Sequence, residues 1–175
     1  MALLFKEDDK YLLDTNIYIN FYDRYYRFEY FPSFWDLFEK LMNEKIVFPK
    51  VVADEVTKGD EFKTWIDKKF TGNFLNHKKY AEIWGEVIQH IAKHPCYSDR
   101  ALIEPRSWLH EKIADGWLIA IAKKESLTIV SDERKNPNLN SAKPSGYVKI
   151  PDIAEDFGVR CITMNSFFKE IGFRL

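Results

Sequence analysis

The feature that most constrains the fold is a helical stretch that is apolar on every face. Residues 117–122 read Trp-Leu-Ile-Ala-Ile-Ala, inside a helix predicted from about residue 107 to residue 125. A helix that is apolar all round needs other layers on both of its sides. A β-branched run at 127–130 follows, which predicts a buried strand. We therefore expect this helix to lie deep in a layered α/β protein.

Short strands and helices alternate along the rest of the chain. Apolar runs predict further strands at 11–13, 46–48, 147–150 and 159–163. Periodicity, proline starts and glycine stops predict helices at 33–44, 49–59, 61–70, 78–94, 151–157 and 165–171, the last capped by Asn165. Residues 136–146, rich in Asn, Pro, Ser and Lys, are predicted to form a flexible loop. This alternation indicates a single α/β domain over residues 1–175, with a mainly parallel sheet covered by helices on both faces.

The composition excludes several classes of protein. Lys and Arg total 26 against 27 Asp and Glu, for a net charge of −1, so the chain is not a polycation and any binding of nucleic acid requires a local site. The two cysteines, Cys96 and Cys161, form no zinc or redox motif. No apolar run is long enough for a membrane span or a secretory signal. We expect a soluble, cytoplasmic protein with no membrane partner.

Two acidic residues in the first third of the chain lie beside apolar positions. Asp14 directly follows an apolar strand, and ligands bind at the carboxyl ends of parallel strands. A helix N-cap is the simpler explanation of Asp14 taken alone. Helical spacing sets Glu55 beside Val51 and Val52, whereas its neighbour Asp54 pairs with lysines on the solvent side. Glu55 is therefore the acid that points inward, unless it lies on the rim of an amphipathic helix.

Further acids occur in the second half of the chain. Asp115 shares a helix face with the core residue Ile119, and burying an unpaired carboxylate there is costly. Either a cation, a helix N-terminus or a basic side chain must neutralise it. After the strand at 127–130, alternation places Ser131 and Glu133 on one face and Asp132 on the other. Only one of these two acids points into a common site, and the sequence leaves open which one.

These segments, taken in order, resemble the PIN-domain nucleases, and among them the VapC-like branch of toxin-antitoxin ribonucleases. The matching residues are Leu12-Leu13-Asp14-Thr15-Asn16, Pro49 with Glu55, Ala114-Asp115 with Ile119-Ala120 and Ala122, and Ile129-Val130-Ser131-Asp132-Glu133. Residues 25–35 and 149–175 also resemble a PIN-like family of unknown function, so the likeness is close to full length. The resemblance implies a PIN-like three-layer α/β/α fold, in which a central, mainly parallel sheet is covered by helices on both faces.

The resemblance also implies a catalytic and metal site made of acids. The acids that match are Asp14, Glu55, Asp115 and Glu133, with Asp132 as the alternative to Glu133. The family usually has Asp at the last position, where this chain has Glu133. Asn16 and Ser131 would orient water or carboxylates. Oxygen ligands suit Mg²⁺ or Mn²⁺ better than zinc.

The expected function is a divalent-metal-dependent endoribonuclease, the toxin of a toxin-antitoxin pair. Its partners would be an RNA substrate, an antitoxin protein and a second copy in a homodimer. The alternative is a catalytically inactive PIN-like module that binds protein or RNA. A phosphatase with an aspartate nucleophile is disfavoured, because Asn16 stands where a second acid would follow Asp14.

Substrate contacts and histidines are less specific signals. Arg24 and Arg27 lie among aromatic residues and are candidates for binding phosphate and stacking bases, although these aromatics would also suit a lid, a dimer face or an antitoxin groove. Three lysines near the loop offer phosphate contacts or an ordinary solvated surface, namely Lys135, Lys143 and Lys149. His90 and His94 have i, i+4 spacing, which occurs in metal sites. Most histidine pairs with this spacing bind no metal.

Overall fold

A small parallel sheet organises the protein, whose computed structural model describes residues 9–57 and 60–174. Its strands are β1 (Tyr11–Leu13), β2 (Thr128–Val130) and β3 (Cys161–Ile162), in that spatial order. On the other side of β1, Ile46 forms a single parallel bridge with Tyr11. The strand predicted at 46–48 is thus reduced to that bridge, because the chain turns at Pro49 into the next helix.

Helices account for most of the remaining regular structure. They are α1 (Thr15–Ile19), α2 (Pro32–Glu44), α3 (Lys50–Val56), α4 (Asp60–Lys69), α5 (Ala81–Lys93), α6 (Arg100–Ile103), α7 (Ala114–Glu125), α8 (Ile150–Asp156) and α9 (Met164–Glu170), together with a π-helical turn at Asn20–Tyr25 and a 3₁₀ turn at His77–Tyr80. Among the described residues, no helix has the length and apolarity needed to cross a membrane.

Helix α7 lies at the centre of the molecule, as its sequence predicts. Every residue from Gly116 to Ala122 is buried, and the helix contacts α3, α5 and α8 as well as β2. Because these elements pack around α7, its apolar side chains are buried on all sides. The mixed α/β class with a parallel sheet is confirmed.

The predicted start of this central helix was wrong. Residues 104–113 form successive turns instead, in which Ser107, His110 and Ile113 each donate a backbone hydrogen bond to the carbonyl three residues earlier. Ile113 is extended, so helix α7 begins at Ala114. The indole of Trp117 donates to the carbonyl of Glu111 at 3.0 Å and ties these turns to the helix. Asp115 consequently lies in the first turn of α7.

The C-terminal third also differs from prediction in two places. Residues 147–150 form no strand: Ser145 makes one bridge to Tyr97, and α8 begins already at Ile150. Helix α9 is capped by Thr163, whose hydroxyl accepts the backbone N–H of Ser166 at 3.2 Å, and Asn165 lies inside the helix.

Of the two helix ends predicted at glycines, one is observed and the other cannot be compared. Gly158 ends α8 with φ of +64°, a left-handed conformation that glycine adopts without steric cost. The predicted stop at Gly59 lies outside the described residues.

Candidate metal centre

The parallel pairing of β1 and β2 brings two polar side chains together at the carboxyl ends of these strands. Leu13 pairs with Val130, so Asp14 and Ser131, the next residue of each strand, are neighbours. The Ser131 hydroxyl donates to Asp14 Oδ2 at 2.9 Å. Asp14 also occupies the N-cap position of α1. Its carboxylate, only 2 % exposed, makes no capping hydrogen bond of normal geometry, but the backbone N–H of Asn16 in the first turn of α1 lowers its pKa. Asp14 therefore faces both Ser131 and the start of the helix.

Glu55 links α3 to the beginnings of two other helices. Its Oε2 accepts a short hydrogen bond from the Thr15 hydroxyl in α1, and its Oε1 accepts the backbone N–H of Ala114 at 3.1 Å. That N–H belongs to the first turn of α7 and has no partner within its own helix. Glu55 therefore points inward, as its spacing predicts, while Asp54 makes an exposed ion pair with Lys50.

Asp115 follows Ala114 directly and lies in the same first turn of α7. A helix N-terminus favours negative charge, which offsets part of the cost of burying this carboxylate. The side chain of Trp108, from the turns that precede the helix, offers the carboxylate a hydrogen bond. Asp115 is thus held between a helix terminus and an indole.

The two adjacent acids after β2 have different environments. Asp132 is exposed and accepts the backbone N–H of Met164 at 2.9 Å, at the start of α9. Glu133 turns the other way, accepting Lys149 Nζ at 2.9 Å and the backbone N–H of Ile150 at 2.8 Å. Its charge raises the pKa of both Asp14 and Asp115, whereas Asp132 is not among the main influences on either. Glu133 is therefore the acid that faces the cluster.

The pKa values of the two innermost carboxyls reflect this crowding. Burial, together with the charges of Glu133 and Glu55, raises the pKa of Asp14 from 3.8 to about 6, although the Ser131 hydrogen bond opposes the rise. Burial and the same two charges, together with that of Asp14, raise the pKa of Asp115 well above its ordinary value. Among the described residues, no cationic side chain is a main influence on either group. Two carboxylates 4 Å apart repel by about 4 kcal/mol at an effective dielectric constant of ~20.

Two clefts each reach one acid of the cluster. One, of about 370 Å³, is lined by Glu55, His77 and Lys78 among others. The other, of about 420 Å³, is lined by Asp115, Trp108 and Tyr147 among others. Glu55 and Asp115 are therefore accessible to a ligand from these clefts, whereas Asp14 and Glu133 line neither of them.

The donor set fits a hard divalent cation. Its potential ligands are carboxylate oxygens, which Mg²⁺ and Mn²⁺ prefer. Each oxygen has two lone pairs, so the hydrogen bonds to Glu55 and Glu133 leave capacity for a further partner. A cation here would offset the repulsion that raises the pKa of Asp14 and of Asp115. Asp14, Glu55 and Asp115 would be its main ligands, and Glu133 a peripheral one because Lys149 already pairs with it. Among the described residues, however, only His90, His94 and Asp156 bring three potential ligand atoms within 4.8 Å of one another, so the carboxylates would have to move closer together to share one cation.

The remaining site predictions have different positions. Ser131 lies inside the cluster, and the backbone N–H of Asn16 lowers the pKa of Asp14 slightly, although the residue itself is exposed. Arg24 and Arg27 are exposed and line neither cleft beside the carboxylates. Most of the surrounding aromatics pack inward: Tyr26 stacks on Phe34 at 4.0 Å between ring centroids.

Three residues of the site were not predicted as parts of it. The Thr15 hydroxyl contacts Glu55, the Trp108 side chain contacts Asp115, and Lys149 pairs with Glu133. Thr15 stands next to Asp14 in the sequence, and its hydroxyl, which can donate to a carboxylate, is the local signal of this contact. The predicted helix over residues 107–125 gave no reason to place Trp108 beside Asp115. Glu133, the partner of Lys149, lies 16 positions away along the chain.

His90 and His94 lie close to Asp156 at the end of α8. His90 Nε2 is 2.8 Å and His94 Nε2 3.8 Å from Asp156 Oδ2. The backbone N–H of Cys96 donates to His94 Nδ1 at 3.2 Å, so the neutral ring carries its proton on Nε2, facing Asp156. A metal at Nε2 would have to displace this proton and break the bond to Cys96. The trio therefore favours a hydrogen-bonded link between α5 and α8 over a metal site.

Comparison with protein families gives one match over nearly the whole chain. A family model described as "Domain of unknown function (DUF4411)" matches residues 11–175. That range contains every residue of the carboxylate cluster. A search of curated proteins gives no match.

Proposed function

The chain belongs to the DUF4411 family, whose description assigns no activity, and we propose that it is a divalent-metal-dependent endoribonuclease with a PIN-like three-layer fold. One observation carries the proposal. The charges of Glu55 and Glu133 raise the pKa of both Asp14 and Asp115, so four acids from separate elements lie near one another beside the carboxyl end of β1. This order of acids is the one that resembles the PIN-domain nucleases. The resemblance extends the proposal to a toxin of the VapC-like type, controlled by an antitoxin.

Each side chain has a role in this proposal. Asp14 and Asp115 are the principal ligands of Mg²⁺ or Mn²⁺, and Glu133 contributes to a second, weaker site. Glu55 orients water or accepts its proton, a role supported by the two hydrogen bonds that fix its carboxylate. A divalent cation supplies Lewis acidity, which makes water a stronger acid and stabilises charge on the leaving oxygen of a phosphodiester. No side-chain nucleophile is required.

The test is cleavage of a labelled single-stranded RNA in Mn²⁺ or Mg²⁺. Asp14→Asn and Asp115→Asn should each lower the rate by at least 100-fold while remaining folded, because removing a metal ligand removes the reacting centre. Asp67→Asn is the matched control, because Asp67 makes only an exposed ion pair with Lys63. Cleavage that survives in both site variants, at the rate of the control, would refute the proposal. Growth arrest on expression of wild type, but not of Asp14→Asn, tests the toxin part separately.

A second candidate function is a PIN-like binding module without catalysis. It is favoured by the protein donors that already contact two of the acids: Glu55 has Thr15 and Ala114, and Glu133 has Lys149 and Ile150. Thermal unfolding with and without Mn²⁺ separates the two functions. A metal-binding cluster raises the melting temperature as Mn²⁺ is added, by mass action on the folded state. No rise up to millimolar Mn²⁺ would favour the binding module.

A further inference from the structure

An exposed tyrosine lies at the boundary between the carboxylate cleft and a cationic cleft. Tyr147 is 63 % exposed, although it is a large aromatic side chain. The guanidinium of Arg100 lies over its ring, 5.5 Å from the centroid, and Arg100 Nη2 donates to the Tyr147 hydroxyl at 3.3 Å. One face of the ring is thus supported by a cation, and much of the remaining ring surface is open to solvent.

The backbone that carries this ring is firmly held. Ser145 donates its N–H to the carbonyl of Cys96 at 2.8 Å and accepts that of Ser98 at 2.9 Å. The Ser145 hydroxyl bonds both the N–H and the carbonyl of Tyr147, at 3.1 and 2.8 Å. A ring presented by an ordered backbone loses little conformational entropy when a ligand binds.

Gly146 allows the arginine to reach the ring. A Cβ atom at this position would lie 2.9 Å from Arg100 Cδ, well inside van der Waals contact. The side chain of Arg100 therefore crosses the backbone directly beside Tyr147. Glycine at 146 is required for this close approach rather than for its φ angle.

Tyr147 lines two clefts that differ in their charged residues. It lines the cleft that contains Asp115 and Trp108, and it also lines a second cleft of about 410 Å³. The charged side chains that line the second cleft are cationic, namely Arg134, Lys135 and Lys149, although Lys135 pairs with Glu155 and Lys149 with Glu133. Partly exposed ion pairs contribute little to stability, so a phosphate can compete with these two carboxylates for the lysines. The exposed ring between this cleft and the cleft of Asp115 offers a surface for a base.

We propose that Tyr147, supported by Arg100, is a stacking platform for one base of a single-stranded nucleic acid whose phosphates lie along the cationic cleft. This inference rests on the proposed nuclease function and assigns a base-contacting side chain to its substrate site. An exposed aromatic ring stacks on an unpaired base, whereas the bases of a duplex already have both faces covered by their neighbours. Tyr147 and Asp115 line the same cleft, so a strand stacked on the ring enters the cleft that contains this carboxylate.

The experiment is fluorescence anisotropy with a labelled ten-nucleotide single-stranded RNA and with the same sequence as a duplex. Ca²⁺ replaces Mg²⁺ because it also binds carboxylate oxygens, and gel electrophoresis checks that the probe stays intact. Tyr147→Ala should weaken binding of the single strand by roughly tenfold or more, the effect of losing one stacked base. Tyr147→Phe should retain most of the affinity, because it keeps the ring. The duplex should bind more weakly than the single strand and respond less to Tyr147→Ala.

Phe74→Ala is the control, because Phe74 is an exposed aromatic side chain, 41 %, that lines none of these clefts. It should leave the affinity unchanged. Equal affinity of Tyr147→Ala and wild type, an equal loss in Phe74→Ala, or no binding of the single strand by wild type would each overturn the platform. Cleavage that depends on Asp14 and Asp115 is measured separately, so its failure would refute the nuclease function without deciding the binding result.

Discussion

Replacing Asp14 with asparagine is expected to stabilise the metal-free protein while abolishing its response to metal. Asparagine has nearly the same shape and can still hydrogen-bond Ser131, but it carries no charge. Burial and the neighbouring acids raise the pKa of Asp14 from 3.8 to about 6, so at pH 7.5 the carboxylate is ionised in the folded protein at a greater free-energy cost than in the unfolded chain. A rise of about two pH units corresponds to about 3 kcal/mol. Because Asp14 is buried, solvent screens little of this penalty.

The sign of the pH dependence follows from the raised pKa. Below about pH 4, Asp14 is protonated in both the folded and the unfolded protein, and the penalty is absent. As pH rises through the window from about 4 to about 6, the unfolded chain releases its proton first, and the folded protein loses stability relative to it. The penalty is about half complete at pH 5 and nearly complete at pH 7.5.

The assay is thermal unfolding in EDTA and in Mn²⁺. In EDTA at pH 7.5, Asp14→Asn should melt about 6–12 °C above wild type, from about 3 kcal/mol at 2–4 °C per kcal/mol for a domain of this size. This advantage should shrink at pH 5. Saturating Mn²⁺ should raise the melting temperature of wild type and have little effect on Asp14→Asn.

Asp67→Asn is again the control, since an exposed acid in a surface ion pair contributes little to stability. It should melt within about 2 °C of wild type under all conditions. An Asp14→Asn protein that is less stable than wild type in EDTA would refute the reasoning. Asp14 would then act as an ordinary structural hydrogen-bond acceptor rather than as one of several mutually repelling carboxylates.

Three further predictions concern the same region. Stabilisation by a fixed Mn²⁺ concentration should fall as pH drops below about 6, because protons compete for Asp14, and a pH series of melting temperatures measures this. Thr15→Val should lower RNA cleavage on the order of tenfold without unfolding the protein, because Glu55 loses a donor, and Thr15→Ser should restore it; equal rates in all three proteins would contradict the role. Tyr18→Phe should raise the free energy of unfolding by about 1 kcal/mol in urea denaturation, because the buried Tyr18 hydroxyl has no hydrogen-bond partner within the described residues; a loss of stability would show that this hydroxyl is satisfied.

Strong local patterns were sufficient to predict the three strands that form the sheet and the buried part of the deep helix. The apolar run of α7 needs cover on all sides, and β1 and β2 are short apolar runs that end in polar residues. Once these strands pair in parallel, the register places Asp14 beside Ser131. The meeting of these two residues thus follows from strand ends that the sequence marks clearly.

The start of α7 depended on contacts that a local pattern does not contain. Residues 107–113 have helical periodicity, but the hydrogen bond from Trp117 to the Glu111 carbonyl and the one from Ala114 to Glu55 favour turns and a late start. Glu55 is 59 positions away from Ala114. The predicted strand at 147–150 failed for a similar reason, because Glu133 binds the N–H of Ile150 and begins α8 there.

The choice between Asp132 and Glu133 also needed tertiary structure. Strand alternation predicts that they face opposite ways, but not which face contains the site. Asp132 accepts a backbone hydrogen bond from the start of α9. Glu133 instead accepts hydrogen bonds from Lys149 and from the start of α8, on the side of Asp14 and Asp115. Both partners lie far along the chain from the two acids they bind.

The most direct test of the central claim is the chemistry of the RNA ends after cleavage in Mn²⁺. Attack by water held at a carboxylate-bound cation needs no 2′-hydroxyl, so the products should carry ordinary phosphate and hydroxyl ends, and a 2′-deoxy substitution at the cut site should still be cleaved. Both reactions should stop in EDTA and in Asp115→Asn. A 2′,3′-cyclic phosphate product, or cleavage that continues in EDTA, would contradict a hydrolytic metal centre built from Asp14, Glu55 and Asp115.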